Sequence, residues 1–482
     1  MAVIAGQSSD VWLSGDNLRG ATNVWISFAG SAIVSTGDTN HPGQAALRIS
    51  VPKNSLLGIG ALRVATTNGV SSFQMILIDE LATVLKNGKN KTRESAQTLT
   101  APIAIEGACD DLSSDFYKFT AKKGQQISVE IVAQRLGSKC DPVMRLFDAA
   151  GREWAYSDDS EVGADSKFTC KIPADGDYFL EVRDINYSGG SQFRYRLRLA
   201  NAPLPKLPFL AGAIPPFSGS SAPVVADKEP NDVGDKAVGI SVPSVLQGNF
   251  DRPGDRDFYV FEAKKNDRLV FRGHTRTIGS YCDLFMEIQK TNGAKIAETK
   301  IAGADDGAIT NTFSEDGTFR LMIEELNRQG GPGLNYRVEV ERLTPGFALT
   351  VDAEKINVSP GTNLEIKVTA ARRDFKGPIT LELDGAGKEF SVTNNVIPEG
   401  KTETQLTIQA SENTVRGQMF SCRIVGIAKN GENDIVAMAS TMTALRRNFP
   451  QMLFPPEALD GLIALGVGET VRLEPPPEKK KK

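Results

Sequence analysis

Five oxygen-bearing side chains in the middle of the chain have the chemistry of a calcium site. Carboxylate and amide oxygens are the hard ligands that Ca²⁺ prefers. The predicted ligands are Glu229, Asn231, Asp232, Asp255 and Asp257. An extracellular site of this kind would bind weakly, with a Kd on the order of 10⁻⁴–10⁻³ M. The alternative is structural, because Asn231 and Asp232 could cap a turn through their own backbone.

The chain nearly repeats itself, and the repeat restricts this site to one copy. When the two copies are aligned on their turn glycines, Gly88 takes the place of Glu229 and Lys91 that of Asp232. A lysine in place of a carboxylate would repel a cation. The sequence therefore predicts calcium in the second copy alone, and no other cofactor.

A second acidic segment, at 158–161 with Asp165, is open to two interpretations. It could be another divalent-ion loop, or a solvated hairpin turn whose counterpart at 305–306 keeps only part of the charge. Paired carboxylates also serve glycosidases, but no aromatic sugar platform surrounds them here. The pattern favours the turn.

The two histidines, His41 and His274, do not occur in a catalytic pattern. Serine-peptidase chemistry requires a histidine base beside a serine, oriented by a carboxylate. Neither a GxSxG elbow nor a phosphate-binding GxxxxGK[ST] loop is present. His274 aligns with Ala133 of the other copy, and a scaffold that needed a catalytic histidine should keep it in both. We predict no catalytic residues and no enzyme activity.

Composition bears on the kinds of partner. The 482 residues carry 55 Lys and Arg against 59 Asp and Glu, so no overall positive field attracts nucleic acid. No stretch of ~20 apolar residues could span a membrane.

The basic tail at 479–482 is either solubilising or an anchor for a polyanion. Trp154 and Tyr156 either pack at strand ends or contact carbohydrate or protein.

Five cysteines are present, without metal-binding spacing. Cys140 and Cys282 hold equivalent positions within apolar runs of the two copies, which is typical of small buried hydrophobes. Cys109 and Cys170 occur in the first copy only. A disulfide between them, in an oxidising compartment, is left open.

Short strands must position these side chains. Apolar residues alternate with period two in runs such as 24–28, 127–131 and 364–368, and turn residues separate the runs. The long-period self-match marks duplicated modules. The predicted fold class is all-β, built from tandem β-sandwich modules.

The predicted modules follow from these runs and from a proline-rich break. They are a sandwich at 1–80, the first repeat at 86–200, a Pro/Ser-rich linker at 201–226, the second repeat at 227–344, an immunoglobulin-like or fibronectin-like sandwich at 346–447, and a tail at 448–482. Because 11–15 has the pattern of a second strand, we expect the leading module to be truncated at its N-terminus.

The repeats resemble the bacterial pre-peptidase C-terminal domain, a small jelly-roll-like sandwich found beside secreted peptidases. The matching segments of the second repeat are EPND (229–232), DRDFYVF (255–261), DGTF (316–319) and YRV (336–338). Those of the first are DFYKF (115–119), KGQ (123–125), LGS (136–138), SDD (157–159) and YRL (195–197).

The leading module resembles a TIG-type sandwich through LSGDNL (13–18) and GALRV (60–64), as in planctomycete-type exported proteins. The resemblance implies export to the extracellular space, the cell surface or the periplasm. We therefore expect a non-catalytic protein that binds an envelope or extracellular polymer or protein. The alternative is the accessory C-terminal region of a secreted subtilisin-like serine peptidase whose catalytic domain lies outside these residues.

Overall fold

The computed structural model describes residues 2–35, 43–160, 163–215, 222–280, 282–299, 306–331, 333–450, 452 and 454–469. Strands account for 52% of the described residues and helices for 4%. Within these ranges, helix is confined to α1 (Met442–Asn448) and four 3₁₀ turns. The predicted fold class, an all-β array of sandwich modules, is confirmed. None of the helices described is long and apolar enough to cross a bilayer.

In the described part of residues 2–79, eight strands form two sheets. They are β1 (Ala2–Ile4), β2 (Ser8–Ser14), β3 (Ala21–Ile26), β4 (Ser31–Val34), β5 (Gln44–Ser50), β6 (Gly58–Thr66), β7 (Gly69–Val70) and β8 (Gln74–Asp79). One sheet has the order β1-β8-β6-β3, with β7 beside β6, and the other has the order β2-β5-β4. Strand β6 is buried along its whole length, as expected for a strand covered on both faces.

The first repeat is a sandwich of two five-stranded sheets. Its strands are β9 (Thr83–Leu85), β10 (Gln97–Thr98), β11 (Ile103–Ala108), β12 (Asp115–Ala121), β13 (Gln126–Val132), β14 (Pro142–Asp148), β15 (Glu153–Ser157), β16 (Lys167–Lys171), β17 (Gly176–Asp184) and β18 (Arg194–Ala200). The sheet orders are β10-β12-β17-β14-β15 and β16-β13-β18-β11-β9. Alternate residues of both sheets, such as Tyr117 and Ile131, fill one core.

The second repeat has the same architecture. Its strands are β19 (Val224–Ala226), β20 (Val238–Gly239), β21 (Ser244–Asn249), β22 (Arg256–Ala263), β23 (Arg268–His274), β24 (Leu284–Lys290), β25 (Lys295–Glu298), β26 (Ala308–Thr312), β27 (Gly317–Glu325) and β28 (Asn335–Arg342). The sheet orders, β20-β22-β27-β24-β25 and β19-β21-β28-β23-β26, reproduce those of the first repeat strand for strand. Equivalent residues therefore occupy equivalent places in the two sandwiches.

The strands of the last unit are β29 (Gly346–Val351), β30 (Lys355–Val358), β31 (Asn363–Arg373), β32 (Ile379–Asp384), β33 (Phe390–Thr393), β34 (Val396–Ile397), β35 (Glu403–Ala410), β36 (Met419–Asn430), β37 (Asn433–Ser440) and β38 (Ile463–Val467). Their hydrogen-bonded path is β30-β38-β36-β37-β29-β31-β35-β33, with β32 pairing with β34 and β36. Alternate residues of these strands enclose one apolar core.

Three strands fall where the sequence predicted none. Strand β38 lies inside the predicted tail, yet it is buried and pairs with β30 and β36. Strand β19 lies inside the predicted linker and pairs with β21. Strand β1 precedes the segment expected to be the second strand of a truncated module, and it pairs with β8. Strands β1 and β38 pair with partners distant along the chain, and β19 is only three residues long, so the local pattern gave no signal. The remaining boundaries stay predictions.

The units pack against one another. One apolar cluster takes side chains from the first unit, the first repeat, the segment after it and the region around α1. Its members include Leu77, Leu136, Leu207 and Leu445. In addition, the buried guanidinium of Arg63 on β6 donates to the buried carboxylate of Glu354, between β29 and β30. These contacts join modules that the sequence presents as separate.

A buried ionic network joins β8 to the first repeat. The carboxylate of Asp79 lies 2.8 Å from Nη2 of Arg196 and 3.2 Å from Nη2 of Arg198. The other guanidinium nitrogen of Arg198, Nη1, lies 2.6 Å from Glu130. All four side chains are almost completely buried. Removal of Asp79 would leave charge without compensation in a medium of low dielectric constant.

We predict that Asp79→Asn lowers the free energy of unfolding by about 3–5 kcal/mol, because it breaks a buried ionic network from one side only. Urea unfolding measures the change. The control is Asp10→Asn, which removes an exposed pair with Arg48 and should leave the unfolding midpoint unchanged. Equal midpoints for the two variants would contradict the prediction.

Candidate metal centre

The second repeat gathers acidic side chains where the loop after β19 meets the turn between β21 and β22. Asp227 directly follows β19, and Glu229 lies in the loop beyond it. Asp251 and Asp255 lie in the turn, and Asp257 is the second residue of β22. Because β19 runs parallel to β21, the segments that leave the two strands emerge at the same edge.

The carboxylates of these residues are close enough to share a cation. Asp227, Glu229 and Asp257 form one group of ligand atoms that lie within 4.8 Å of one another. Glu229, Asp251 and Asp255 form a second such group. Glu229 belongs to both, so the five side chains make a continuous set, called here the carboxylate cluster.

Two members of the carboxylate cluster are buried without full compensation. Asp255 is 2% exposed and Asp257 is fully buried. The hydroxyl of Tyr336 donates to Oδ2 of Asp257 at 2.6 Å, but Oδ1 of Asp257 and Oδ1 of Asp255 have no hydrogen-bond partner among the described residues. Burial, together with neighbouring carboxylates, raises the pKa of Asp257 to about 8 and that of Asp255 to about 6. Ionisation here is costly unless a cation is bound.

Protein cations compensate little of this charge. Within the described ranges, the one ion pair to the carboxylate cluster comes from Arg252, whose Nη2 lies 3.8 Å from Oδ1 of Asp255. The same nitrogen lies 2.5 Å from Asp232, and this hydrogen bond holds the pKa of Asp232 below its ordinary value. Asp232 is therefore ion-paired outside both groups of ligand atoms.

Asn231 is fully buried beside the carboxylate cluster, and its Oδ1 has no hydrogen-bond partner among the described residues. Its Nδ2 donates to Asp227 at 2.7 Å, and its backbone N–H donates to Glu229 at 3.0 Å. Of the five predicted ligands, the structure brings Glu229, Asp255 and Asp257 into the carboxylate cluster and places Asn231 against it, whereas Asp232 pairs with Arg252. It adds Asp227 and Asp251, which the sequence interpretation missed.

In the first repeat, two lysine ammonium groups occupy the corresponding place. Nζ of Lys86 lies 2.9 Å from both Asp110 and Asp115. Nζ of Lys91 lies 2.7 Å from Oδ1 of Asp115 and also pairs with Asp110. Burial alone would lower the pKa of Lys91, but its hydrogen bonds to the two aspartates raise it above the ordinary value. The lysine therefore stays charged, and both oxygens of the buried Asp115 are bonded.

The carboxylate cluster and the lysine-containing site of the first repeat align residue by residue. The equivalent pairs are Asp257 and Asp115, Asp251 and Asp110, Asp227 and Lys86, and Asp232 and Lys91. Two carboxylates in the second repeat thus replace two ammonium groups in the first. The exchange of Lys86 for Asp227 was the available signal for one missed residue, whereas Asp251 aligns with an aspartate and gave no such signal.

A tyrosine that recurs in both repeats donates to the buried aspartate, and a recurring glycine leaves room for that tyrosine. A Cβ on Gly248 would lie 2.3 Å from the hydroxyl oxygen of Tyr336, and one on Gly107 would lie 2.9 Å from that of Tyr195. Because glycine has no side chain, the tyrosine ring can lie across the strand that carries the glycine. In the second repeat the Tyr336 hydroxyl also lies 2.8 Å from that of Tyr259. Burial raises the pKa of both tyrosines in this pair, so each stays a neutral hydrogen-bonding group.

Two adjacent glycines, Gly330-Gly331, recur as Gly189-Gly190 in the first repeat and support the turn that holds Asp251 and Asp255. A Cβ on Gly330 would lie 1.9 Å from the carbonyl carbon of Arg252. In the first repeat a Cβ on Gly189 would lie 2.3 Å from the carbonyl carbon of Asp110. In the second repeat the N–H of Gly331 also donates to the carbonyl of Phe250 at 2.8 Å. Only glycine lets the two loops approach this closely.

The second predicted acidic segment builds a turn around Asp165, which is buried. Its carboxylate accepts from the guanidinium of Arg135 at 2.7 Å. The equivalent Asp306 accepts from the backbone N–H of Thr275 at 2.7 Å. These bonds support the turn interpretation over an ion loop. Glu161 lies outside the described residues.

The other candidates have mainly structural surroundings. Nε2 of His274 lies 3.5 Å from a carboxylate oxygen of Glu339 on the neighbouring strand, and His41 lies outside the described residues. Trp154 packs against the core of the first repeat. Tyr156 is 50% exposed, so it remains open to contact.

Comparison with known proteins identifies one domain. Residues 113–184 match the family of the bacterial pre-peptidase C-terminal domain. The match lies within the first repeat and ends at the last residue of β17. A probable subtilase-type serine protease of Deinococcus radiodurans is 31% identical over 204 residues, which covers 38% of this chain. The chain spans only 27% of the length of that relative.

Solved structures resemble parts of the fold at a low level. The pre-peptidase C-terminal domain of a collagenase from Bacillus anthracis is 19% identical, with a TM-score of 0.19, and the match covers 23% of this chain and 99% of that one. Four immunoglobulin domains of Dscam1 are 10% identical, with a TM-score of 0.19, and the match covers 97% and 96%. Scores this low add nothing to the argument from the strands themselves.

We predict that Gly330→Ala displaces the acidic turn and separates the carboxylates, because the new Cβ would overlap the backbone of Arg252. The expected cost is about 1–3 kcal/mol, together with loss of any stabilisation by calcium. Thermal unfolding with and without calcium measures both effects. Gly189→Ala, the matched control, should destabilise the first repeat without changing the calcium response. A normal calcium response in Gly330→Ala would contradict the prediction.

Proposed function

We propose that this chain is a non-catalytic, exported β-sandwich protein whose second repeat binds calcium and whose modules attach to an envelope or extracellular polymer or protein. The observation that carries the calcium proposal is the comparison between repeats. The same buried aspartate has two ammonium groups beside it in the first repeat and carboxylates beside it in the second. Because the two repeats share the same fold, the first repeat shows where positive charge lies beside the buried aspartate. The second repeat has no ammonium group from the described residues at that place.

The donor set favours calcium over other cations. All five members of the carboxylate cluster offer oxygen, and neither group of ligand atoms contains histidine or cysteine, which zinc and copper prefer. Mg²⁺ usually keeps several waters and one or two carboxylates, whereas Ca²⁺ accepts six to eight oxygens in flexible geometry. A crowded carboxylate cluster with unbonded buried oxygens suits the larger ion.

A bound calcium ion would supply positive charge and nothing more. The ligands come from three segments of the chain. Asp227 and Glu229 lie in the loop after β19, called here the entry loop, Asp251 and Asp255 lie in the turn before β22, and Asp257 lies on β22. One shared cation would tie the segment that enters the second repeat to its sandwich. The position of the loop after β19 on the sandwich would then depend on calcium.

Several features support a binding role for the exported chain. Residues 113–184 match a domain family named for its place beside peptidases. His274, the histidine within the described ranges, faces Glu339, whereas acyl-transfer chemistry would require a nucleophile beside it. Rigid sandwiches that present loops are a common frame for recognition.

A second candidate function is the accessory region of a secreted subtilisin-like peptidase. The observation in its favour is the 31% identity over 204 residues with the probable subtilase-type protease. The genomic reading frame upstream of Met1 distinguishes the two proposals. An in-frame Asp/His/Ser catalytic domain would establish the accessory role, whereas a signal peptide directly before the first module would favour the binding protein.

For the calcium proposal, we predict opposite responses of two equivalent variants. Asp257→Asn should abolish the stabilisation that calcium gives the second repeat, which is about 2.7 kcal/mol at a calcium concentration 100 times the Kd. Without calcium the same variant should be as stable as the wild type, or more so, because burial raises the pKa of Asp257 to about 8 and the neutral amide replaces a carboxyl that is costly to ionise. Thermal unfolding in chelator and in about 10 mM calcium, near 100 times a Kd of 10⁻⁴ M, gives the measurement.

The matched control is Asp115→Asn in the first repeat. It separates Lys86 and Lys91 from a buried partner, so it should destabilise the protein equally with and without calcium. If wild-type stability does not change between chelator and calcium, the second repeat binds no calcium under these conditions.

For the attachment proposal, we predict that the purified chain binds isolated cell-envelope fragments of the encoding organism with saturation. Chelator and Asp257→Asn should each weaken this binding, because both release the entry loop of the second repeat. Sedimentation of labelled protein with the fragments measures it. Two outcomes would contradict the proposal, namely binding without saturation and turnover of a peptide or glycan substrate by the chain alone.

A further inference from the structure

Two cysteines meet in the core of the first repeat. The Sγ atoms of Cys109 and Cys140 lie 3.6 Å apart, and the residues are 2% and 0% exposed. Cys109 directly follows β11, and Cys140 lies two residues before β14. These strands belong to different sheets of the sandwich. The contact therefore bridges the two layers.

We propose that Cys109 and Cys140 form a disulfide when the protein folds in an oxidising compartment. A disulfide bond is about 2.05 Å long, so the sulfurs must approach by about 1.5 Å, within reach of small side-chain rotations. The backbone is fixed on both sides. The N–H of Cys109 donates to the carbonyl of Phe193 at 3.0 Å, and the N–H of Cys140 donates to the hydroxyl of Ser138 at 3.0 Å.

The pairing differs from the one that the sequence left open. Cys170 lies on β16, where it pairs with Ile127, and it is only partly buried. The sulfur contact of Cys109 is with Cys140 instead. Cys140 is therefore more than the small buried hydrophobe that its apolar run predicted.

The second repeat again provides a comparison. Cys282 takes the place of Cys140, but Phe250 takes the place of Cys109. The Phe250 ring is fully buried and packs against Tyr336 with centroids 5.1 Å apart. Where the second repeat fills the core with an aromatic ring, the first has a second thiol. The cross-link is thus available to the first repeat alone.

The reaction is a thiol–disulfide exchange with a small disulfide such as oxidised glutathione. The thiolate of one cysteine attacks the glutathione disulfide, forms a mixed disulfide and releases one reduced glutathione. The second cysteine then loses its proton and attacks the sulfur of the first, and a second reduced glutathione leaves. Two thiols are oxidised and one glutathione disulfide is reduced. Because the hydrogen bond to Cys109 and burial raise the pKa of Cys140, the native thiol reacts slowly and exchange occurs during folding.

The inference rests on the proposed export, since reducing compartments keep thiols reduced. It also assigns different supports to the two repeats. The first would hold its layers with lysine ion pairs and a covalent bond, and the second would rely on a metal ion and an aromatic core. Reductant should therefore affect the first repeat, and chelator the second.

The test uses the full chain, unfolded in denaturant with reductant and then refolded with oxidised and reduced glutathione. Maleimide labelling in denaturant should find three of the five cysteines, and peptide mapping should recover Cys109 joined to Cys140. The oxidised first repeat should melt on the order of 10 °C higher than the reduced one. Hydrogen exchange read by mass spectrometry should localise this change to residues 86–200.

Two variants keep the result interpretable. Cys170→Ser should retain the Cys109–Cys140 peptide, and Cys109→Ser should lose it and leave four labelled thiols. Labelling of all five cysteines in the wild type, or a link that includes Cys170, would overturn the inference. The calcium response of the second repeat is measured separately, so failure of either proposal leaves the other intact.

Discussion

A carboxylate buried between two sheets needs a compensating positive charge, and this constraint governs both repeats. Asp115 and Asp257 are each almost completely buried and each accept a tyrosine hydroxyl. In the first repeat, ammonium groups complete the shell of the aspartate. In the second, neighbouring carboxylates increase the negative charge, and burial raises the pKa of Asp257 to about 8. In the first repeat these bonds tie the loop after β9 to β12, because Lys86 and Lys91 belong to that loop.

Residues that recur between the repeats are those that place the aspartate, and residues that differ are those that neutralise it. Gly248 lets Tyr336 cross the strand, and Gly330 lets the acidic turn approach. Lys86 and Asp227, by contrast, occupy the same position with opposite charge. Duplication thus preserved a geometric frame and changed the charge within it. This difference in charge is the basis for the proposal that one repeat alone requires calcium.

Contacts between units affect how such a requirement would be transmitted. Asp79 of β8 is bound to Arg196 and Arg198 of the first repeat, and Arg63 is bound to Glu354 of the last unit. Buried pairs of this kind are costly to separate. The first unit, the first repeat and the last unit are therefore held together by buried pairs, and the second repeat contacts the last unit and the region after α1 through more exposed pairs, Arg268 with Asp374 and Arg337 with Glu457.

The sequence by itself determined the all-β fold and the internal repeat, because period-two alternation and turn glycines are local properties. It also predicted three members of the cluster, Glu229, Asp255 and Asp257, from their oxygen-bearing side chains. Tertiary structure alone decided that Asp232 pairs with Arg252, that Asp227 and Asp251 join the cluster, and that β38 completes the last unit. It also decided which cysteines meet. Such outcomes depend on which distant segments lie side by side, and strand pairing across many residues leaves no trace in local periodicity.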